Sequence, residues 1–507
     1  MKRIYYILAS LMLLMSASSC GEKWLEVQSH DQLFIDDYYN SETRIYEALV
    51  AAYDPLQWFD WNTESQYNPI PFVYDIMADD VYPGGADMQD NRHWHLMSDY
   101  SAEPVSGVCS ALWMVAYSGI NRSNAVHQYM PNVKNISDQT KAMFLAEATV
   151  LRAYYYNMLW KLWGNIPYYE TNLGVPFLCE QSSAAQVYER IALSLESVLD
   201  TEALPMKRTD NAQIGRITYA AAAMLYAEVV MYQNDATRMQ RVLDLMEKII
   251  TEGGYSLVTG ADFLNMWEPA GEWSSESIFE INHYSQGATR NYDNPHTAGG
   301  TILPQLLGIN GLSGDAKYTS GWGFGPMRAD AAALFADEDL RRQTTVYQPD
   351  PATYTPRYQN TGYFNAKYLP RKDGEAGMNG SANLNFNNNL RIYRYAETLL
   401  NAAELIARGY AGKGTAQDYF NQVRSRAGLG TIEATVDNIL DERRLEFMGE
   451  GKRYWDLIRS GKAASVLTPA NDPAGYRTRA WSESKKYLPI PQKEIDAAQG
   501  TLVQNNY

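Results

Sequence analysis

Three glutamates at four-residue intervals, Glu442, Glu446 and Glu450, stand where two carboxylates on one helix face could serve as acid and base on a glycosidic bond. Their neighbours argue for a different use. Glu446 has Arg443 three places away, Glu450 has Arg453, and Asp456 has both Arg453 and Arg459, the spacing of ion pairs along a helix. A carboxylate beside an arginine gives up its proton easily and makes a poor general acid. Glu442 lacks an arginine at this spacing, so its partner must come from elsewhere. The acid-rich loop at Asp79-Asp80 keeps an all-α glycoside hydrolase open as an alternative. The sequence contains no Asp-x-Asp-x-Asp-Gly loop and no His-Glu-x-x-His, and His93 and His95 alternate along an irregular segment, so no metal site is expected. The run Gly321-x-Gly323-x-Gly325 ends in Pro326 and opens no strand-to-helix unit, so no nucleotide cofactor is expected either.

The other chemistry on offer is stacking. Of the aromatic residues, 38 are Tyr and 12 are Trp against 13 Phe, so most rings carry a polar edge. A sugar presents an apolar C–H face to a flat ring and a rim of hydroxyls to Asp, Asn and Arg. Trp58, Trp61, Tyr82 and Trp94 fall in one irregular region, near Asp79, Asp80, Arg92 and His95. Tyr284, Tyr292, Tyr318 and Trp322 fall in another, near Arg290, Asn291 and Asn294. Gly84-Gly85 and the glycines around Trp322 would let backbone and ligand approach closely. The ligand-binding residues expected from this pattern are Asp80, Arg92, Trp94, Tyr292 and Trp322. The plainer reading of each ring is glue between loop and helix. That reading is preferred for Tyr154-Tyr155-Tyr156, Trp160 and Trp163, which lie on a segment with helical apolar period, and for Trp113 and Trp455.

The elements that must position these residues are mostly helical. From Phe144, the apolar positions Ala148, Leu151, Tyr155, Leu159 and Leu162 recur at steps of three and four, and Gly164 and Pro167 end the segment. Tyr219–Met231 and Met239–Thr251 predict one pair of helices, Arg391–Ala407 and Thr415–Ala427 another. Short glycine turns between such pairs suggest tetratricopeptide-type hairpins. Residues 58–95 and 262–390 lack periodicity and are rich in Gly, Asn, Asp, Pro, Tyr and Trp, as long functional loops are. At 507 residues, 46% hydrophobic and 20% charged, the chain is globular rather than disordered. A net charge of −16 with no basic stripe excludes nucleic acid as a partner, and three cysteines exclude a disulfide scaffold. Cys109 and Cys179 could pair or stay free.

Lys2-Arg3, the apolar run Ile4 to Met15 and the small residues Ser16 to Ser19 before Cys20 resemble a bacterial lipoprotein signal. On that reading residues 1–19 are removed, Cys20 carries lipid, and residues 20–507 form one domain tethered to a membrane without spanning it. Four stretches then resemble the SusD/RagB family of outer-membrane nutrient-uptake lipoproteins. They are Leu112-Trp113 through Tyr117 to Asn124; Ala146-Glu147-Ala148 with Leu151 to Tyr156 and Leu162 to Pro167; Asn421 to Leu429 with Glu442 to Phe447 and Glu450 to Arg459; and Tyr487 to Pro491 with Gln504 to Tyr507. The resemblance implies an all-α fold of four tetratricopeptide-like hairpins with a loop-rich half. It implies a non-catalytic, surface-facing protein of the outer membrane, which captures oligosaccharide and passes it to a SusC-like TonB-dependent transporter. A peptide cargo for the same type of lid is the alternative within the family.

Overall fold

The segment whose apolar period begins at Phe144 becomes part of the longest helix among the described residues. The computed structural model describes residues 38–61 and 66–507; the signal segment and Cys20 lie outside the described residues. In chain order the main helices are α1 (Glu42–Tyr53), α2 (Arg92–Ser98), α3 (Ser110–Tyr129), α4 (Asp138–Trp163), α5 (Ala184–Leu199), α6 (Tyr219–Gln233), α7 (Met239–Glu252), α8 (Tyr395–Ala407), α9 (Ala416–Arg426), α10 (Val436–Phe447) and α11 (Arg453–Arg459). From α3 to α9 each helix packs against the next, and α8 also packs on α10. The helices thus form the expected stack of hairpins.

Helix α4 starts at Ser137, whose hydroxyl accepts from the Thr140 N–H, and stops at Gly164 with φ 68°. Every residue from Ala146 to Trp163 is buried, the condition of a helix covered on all sides. The rings of α4 are therefore packing. Tyr155 donates to the Ala52 carbonyl at 2.7 Å, Tyr156 to that of Tyr169 at 2.7 Å, and Trp163 to that of Pro489 at 3.2 Å. The C-terminal tail closes the end of α4, where Asn505 Nδ2 donates to the carbonyls of Trp163 and Leu488. Cys109 and Cys179 are free thiols, Cys109 buried with its Sγ 3.5 Å from the sulfur of Met97.

Strand is sparse among the described residues. β1 (Ser277–Ile281) and β2 (Leu390–Arg394) pair antiparallel, and two shorter sheets pair only two residues on each strand. β2 corrects the sequence expectation that the helix begins at Arg391: pairing with β1 holds residues 390–394 extended, and α8 begins at Tyr395. Local periodicity yields here to tertiary pairing.

The carboxylates of α10 are paired as expected, but largely with other partners. Glu446 meets Arg426 at 2.5 Å, Arg394 at 3.0 Å and Arg341 at 3.4 Å. Glu450, beyond the helix end, meets Lys367 at 2.6 Å and Arg394 at 2.8 Å. Glu442 finds its missing partners in Arg341 and Arg424, both at 2.6 Å. Arg443 turns instead to Asp456 and Glu397, and Arg453 to Asp79. Of the expected short-range pairs, Asp456 with Arg459 forms, at 2.7 Å. Burial alone would push Glu446 and Glu450 up; the surrounding cations outweigh it and hold both below the usual carboxylate range. Neither can store a proton for acid catalysis.

Removing one partner of a buried ion pair strands the other in a medium that solvates it poorly. Glu446→Gln should therefore lower unfolding stability by about 3–5 kcal/mol, measured by urea denaturation. A loss below about 1 kcal/mol, the level of an exposed pair, would show that the network does not hold the fold.

Candidate functional site

The two irregular regions meet around one buried cation. Arg290, fully buried, donates to Asp60 Oδ1 at 2.6 Å, to the carbonyls of Trp61 at 2.9 Å and Pro295 at 3.0 Å, and to that of Gly300. Asp60 in turn accepts from the Ile302 N–H. One guanidinium thus fixes the segment carrying Trp61 against the turn carrying Tyr292. In that turn the Asn291 side chain accepts from the N–H groups of Asp293 and Asn294 at 3.0 and 2.7 Å, a side-chain substitute for a backbone turn.

The rings brought together form an arc. Trp61 lies 4.6 Å from Tyr67 and 5.4 Å from Tyr292, while Tyr67 lies 5.6 Å from Trp322. Tyr292 stands edge-on to Trp61 at 78°, and Trp322 edge-on to Tyr67 at 69°. Trp61 is the buried floor, Tyr67 and Trp322 are half-buried, and Tyr292 is 37% exposed. The Tyr67 phenol titrates well above its ordinary range, from burial first and then from the adjacent Tyr292 hydroxyl, so it is a neutral donor and acceptor at any physiological pH. Arg357 closes one end: it donates to the Trp322 carbonyl and lies 3.4 Å from Asp90.

Backbone pairing places Trp322. The Gly325 N–H donates to the Pro83 carbonyl at 2.9 Å, Gly85 to Gly323 at 3.2 Å, and Tyr82 to Pro326 at 3.0 Å. A Cβ on Gly84 would lie 2.7 Å from the Gly323 carbonyl oxygen, and one on Gly85 2.4 Å from the Phe324 ring. These glycines admit a neighbouring loop, where the sequence had suggested room for a ligand.

Of the five residues expected to bind ligand, Tyr292 and Trp322 share the arc and the other three lie elsewhere. Asp80 is fully buried and faces Arg444 at 2.7 Å, so it anchors its loop and reaches no ligand. Its neighbour Asp79 is pushed up by burial but held at about 2 by Arg453 and Arg444, so it too is an ion-pair anchor of the loop. Trp94 is also fully buried; its ring packs edge-on against Phe72 and Phe324, and its Nε1 donates to the Tyr67 carbonyl at 3.2 Å. It positions the arc from behind. Arg92 is exposed on the opposite face of α2, beside a separate cavity. Tyr67 was missed by the sequence reading. Its signal, a ring a few residues from Trp61 in the same irregular region, was there to be used.

Residues 318–507 match the SusD family, and residues 23–230 match a family described as starch-binding associating with outer membrane. The chain is 49% identical to surface glycan-binding protein A from Bacteroides thetaiotaomicron, whose structure is known in complex with laminarihexaose. That match covers 92% of this chain and 100% of the other, with a TM-score of 0.87. It is 42% identical to surface glycan-binding protein A from Bacteroides uniformis over 92% and 100% of the two chains, at a TM-score of 0.84. A laminarin-binding SusD-like protein is 28% identical over 92% and 99%, at 0.80. The expected all-α hairpin fold and this degree of likeness over nearly the whole chain agree: the protein belongs to the SusD/RagB family of outer-membrane-associated proteins.

Proposed function

We propose that the arc of Trp61, Tyr67, Tyr292 and Trp322 captures a laminarin-type oligosaccharide at the cell surface. The observation that carries the reading is the convergence of four rings from two distant loops on one graded face, from buried floor to exposed rim. A half-exposed Tyr292 beside three other rings offers a face on which a sugar can stack. The laminarihexaose complex of the 49% identical relative supports the ligand class.

The protein is read as binding without cutting, like the surface glycan-binding proteins it resembles; Glu446, Asp80 and Asp79 are each held by an arginine. Cys20 carries the lipid that tethers the protein to the outer membrane, and the captured glycan passes to a SusC-like TonB-dependent transporter. Capture need not be tight, because docking on the transporter confines the ligand and raises its effective concentration.

Titration calorimetry of the chain with laminarihexaose tests the site. Trp322→Ala and Tyr292→Ala should each weaken binding by about 1–3 kcal/mol, and cellohexaose should bind far more weakly than laminarihexaose. Unchanged affinity in both variants would place the site elsewhere. For the partner, the tagged protein pulled from detergent-solubilised outer membranes should bring a TonB-dependent barrel with it; recovery of the protein alone would contradict the hand-over.

A further inference from the structure

Helix α2 has two working faces. His93 and Trp94 look toward Tyr67 and the arc, while Arg92, His95, Leu96 and Asp99, at helical spacing, line a cavity of about 180 Å³ on the other side. That is room for one sugar-sized group. The cavity has an aromatic wall of its own: Tyr476 lies 5.0 Å from Tyr82 and 5.7 Å from Tyr358, and His95 lies 5.7 Å from Tyr358. Tyr476 is 37% exposed, a ring at the mouth.

Most polar groups of the cavity are already spoken for. Arg328 is taken by Asp330 and the Asn471 carbonyl, and Arg477 by the carbonyls of Ala78 and Ser98. Asp472 accepts from the Tyr82 hydroxyl and the Arg477 N–H, and Asp99 from the Thr478 hydroxyl and N–H. These acids and bases are already paired. Arg92 stays available. Arg92, at the rim, makes only a 3.3 Å contact with Gln89. His95, 9% exposed, is a buried part of the wall, its ring set against the backbone of Asp90 and Gly84.

We infer that this cavity is a second carbohydrate site, which takes a single pyranose unit, with its C–H face on Tyr476 and its hydroxyls on Arg92. A terminal or branch residue of a glycan fits the size where a through-running chain does not. The choice of a glucosyl unit rests on the laminarin reading of the arc; the existence of the site does not.

Saturation-transfer NMR with methyl β-glucoside and the full chain tests it. The glycoside should show saturation on the wild type, and Trp322→Ala should keep that signal. Tyr476→Ala and Arg92→Ala, both surface changes, should each weaken it by about tenfold. Absence of signal on the wild type overturns the inference, as does its persistence in both cavity variants. Loss in Trp322→Ala overturns it too, by assigning the glycoside to the arc. Failure of the arc reading shows separately, as laminarihexaose affinity indifferent to Trp322 and Tyr292.

Discussion

The loop-rich half of the protein is held on the helical frame by the charges of one short helix. Helix α10 sends Arg444 to Asp79 and Asp80, Arg443 to Asp456 and Glu397, and Glu446 to Arg394, Arg426 and Arg341. Each of these groups is largely buried, where a charge without its partner is expensive and a wrong partner unavailable. The ion pairs therefore act as a register: they specify one arrangement of the loops even where their net gain over apolar packing is small. From Arg444 the constraint runs through Asp80, whose carbonyl accepts from the Arg328 N–H, into the paired backbone of residues 82–85 and 323–326, and so to Trp322. Arg290 does the same for Trp61 and the Tyr292 turn.

The division of labour among the aromatic rings follows from this. On α4 the rings are buried, and Tyr155, Tyr156 and Trp163 satisfy their polar edges with backbone carbonyls of neighbouring segments. In the loops the same residue types end in three situations. Some, such as Trp94, are buried supports; Trp61 is a floor; Tyr292 and Tyr476 stand in solvent beside other rings. The surplus of Tyr over Phe suits all three, because a phenol can be buried on one side and hydrogen-bonded on the other.

Much of the frame was legible in the sequence because helices write their faces into local spacing. The period from Phe144 to Leu162 and the stop at Gly164 locate α4 without any tertiary knowledge, and the α6–α7 and α8–α9 pairs read almost as well. The loop chemistry was legible only in part. Tyr292 and Trp322 share the arc, where ring type and irregular context point the same way. Asp80 and Trp94 share type and context with the arc residues, and partners hundreds of positions away, Arg444 and Phe324, help to bury them. Glu442 looked unpaired for the same reason: Arg341 lies 101 positions before it, and no local spacing reports that.

Ion-paired loops present four rings as one face, proposed here to bind glycan. A crystal structure of the protein soaked with laminarihexaose is the decisive test. It should show consecutive glucosyl rings against Tyr292 and Trp322, with the Arg444–Asp80 and Arg290–Asp60 pairs unchanged from the ligand-free protein. A hexasaccharide bound elsewhere, with the arc bare, would contradict it.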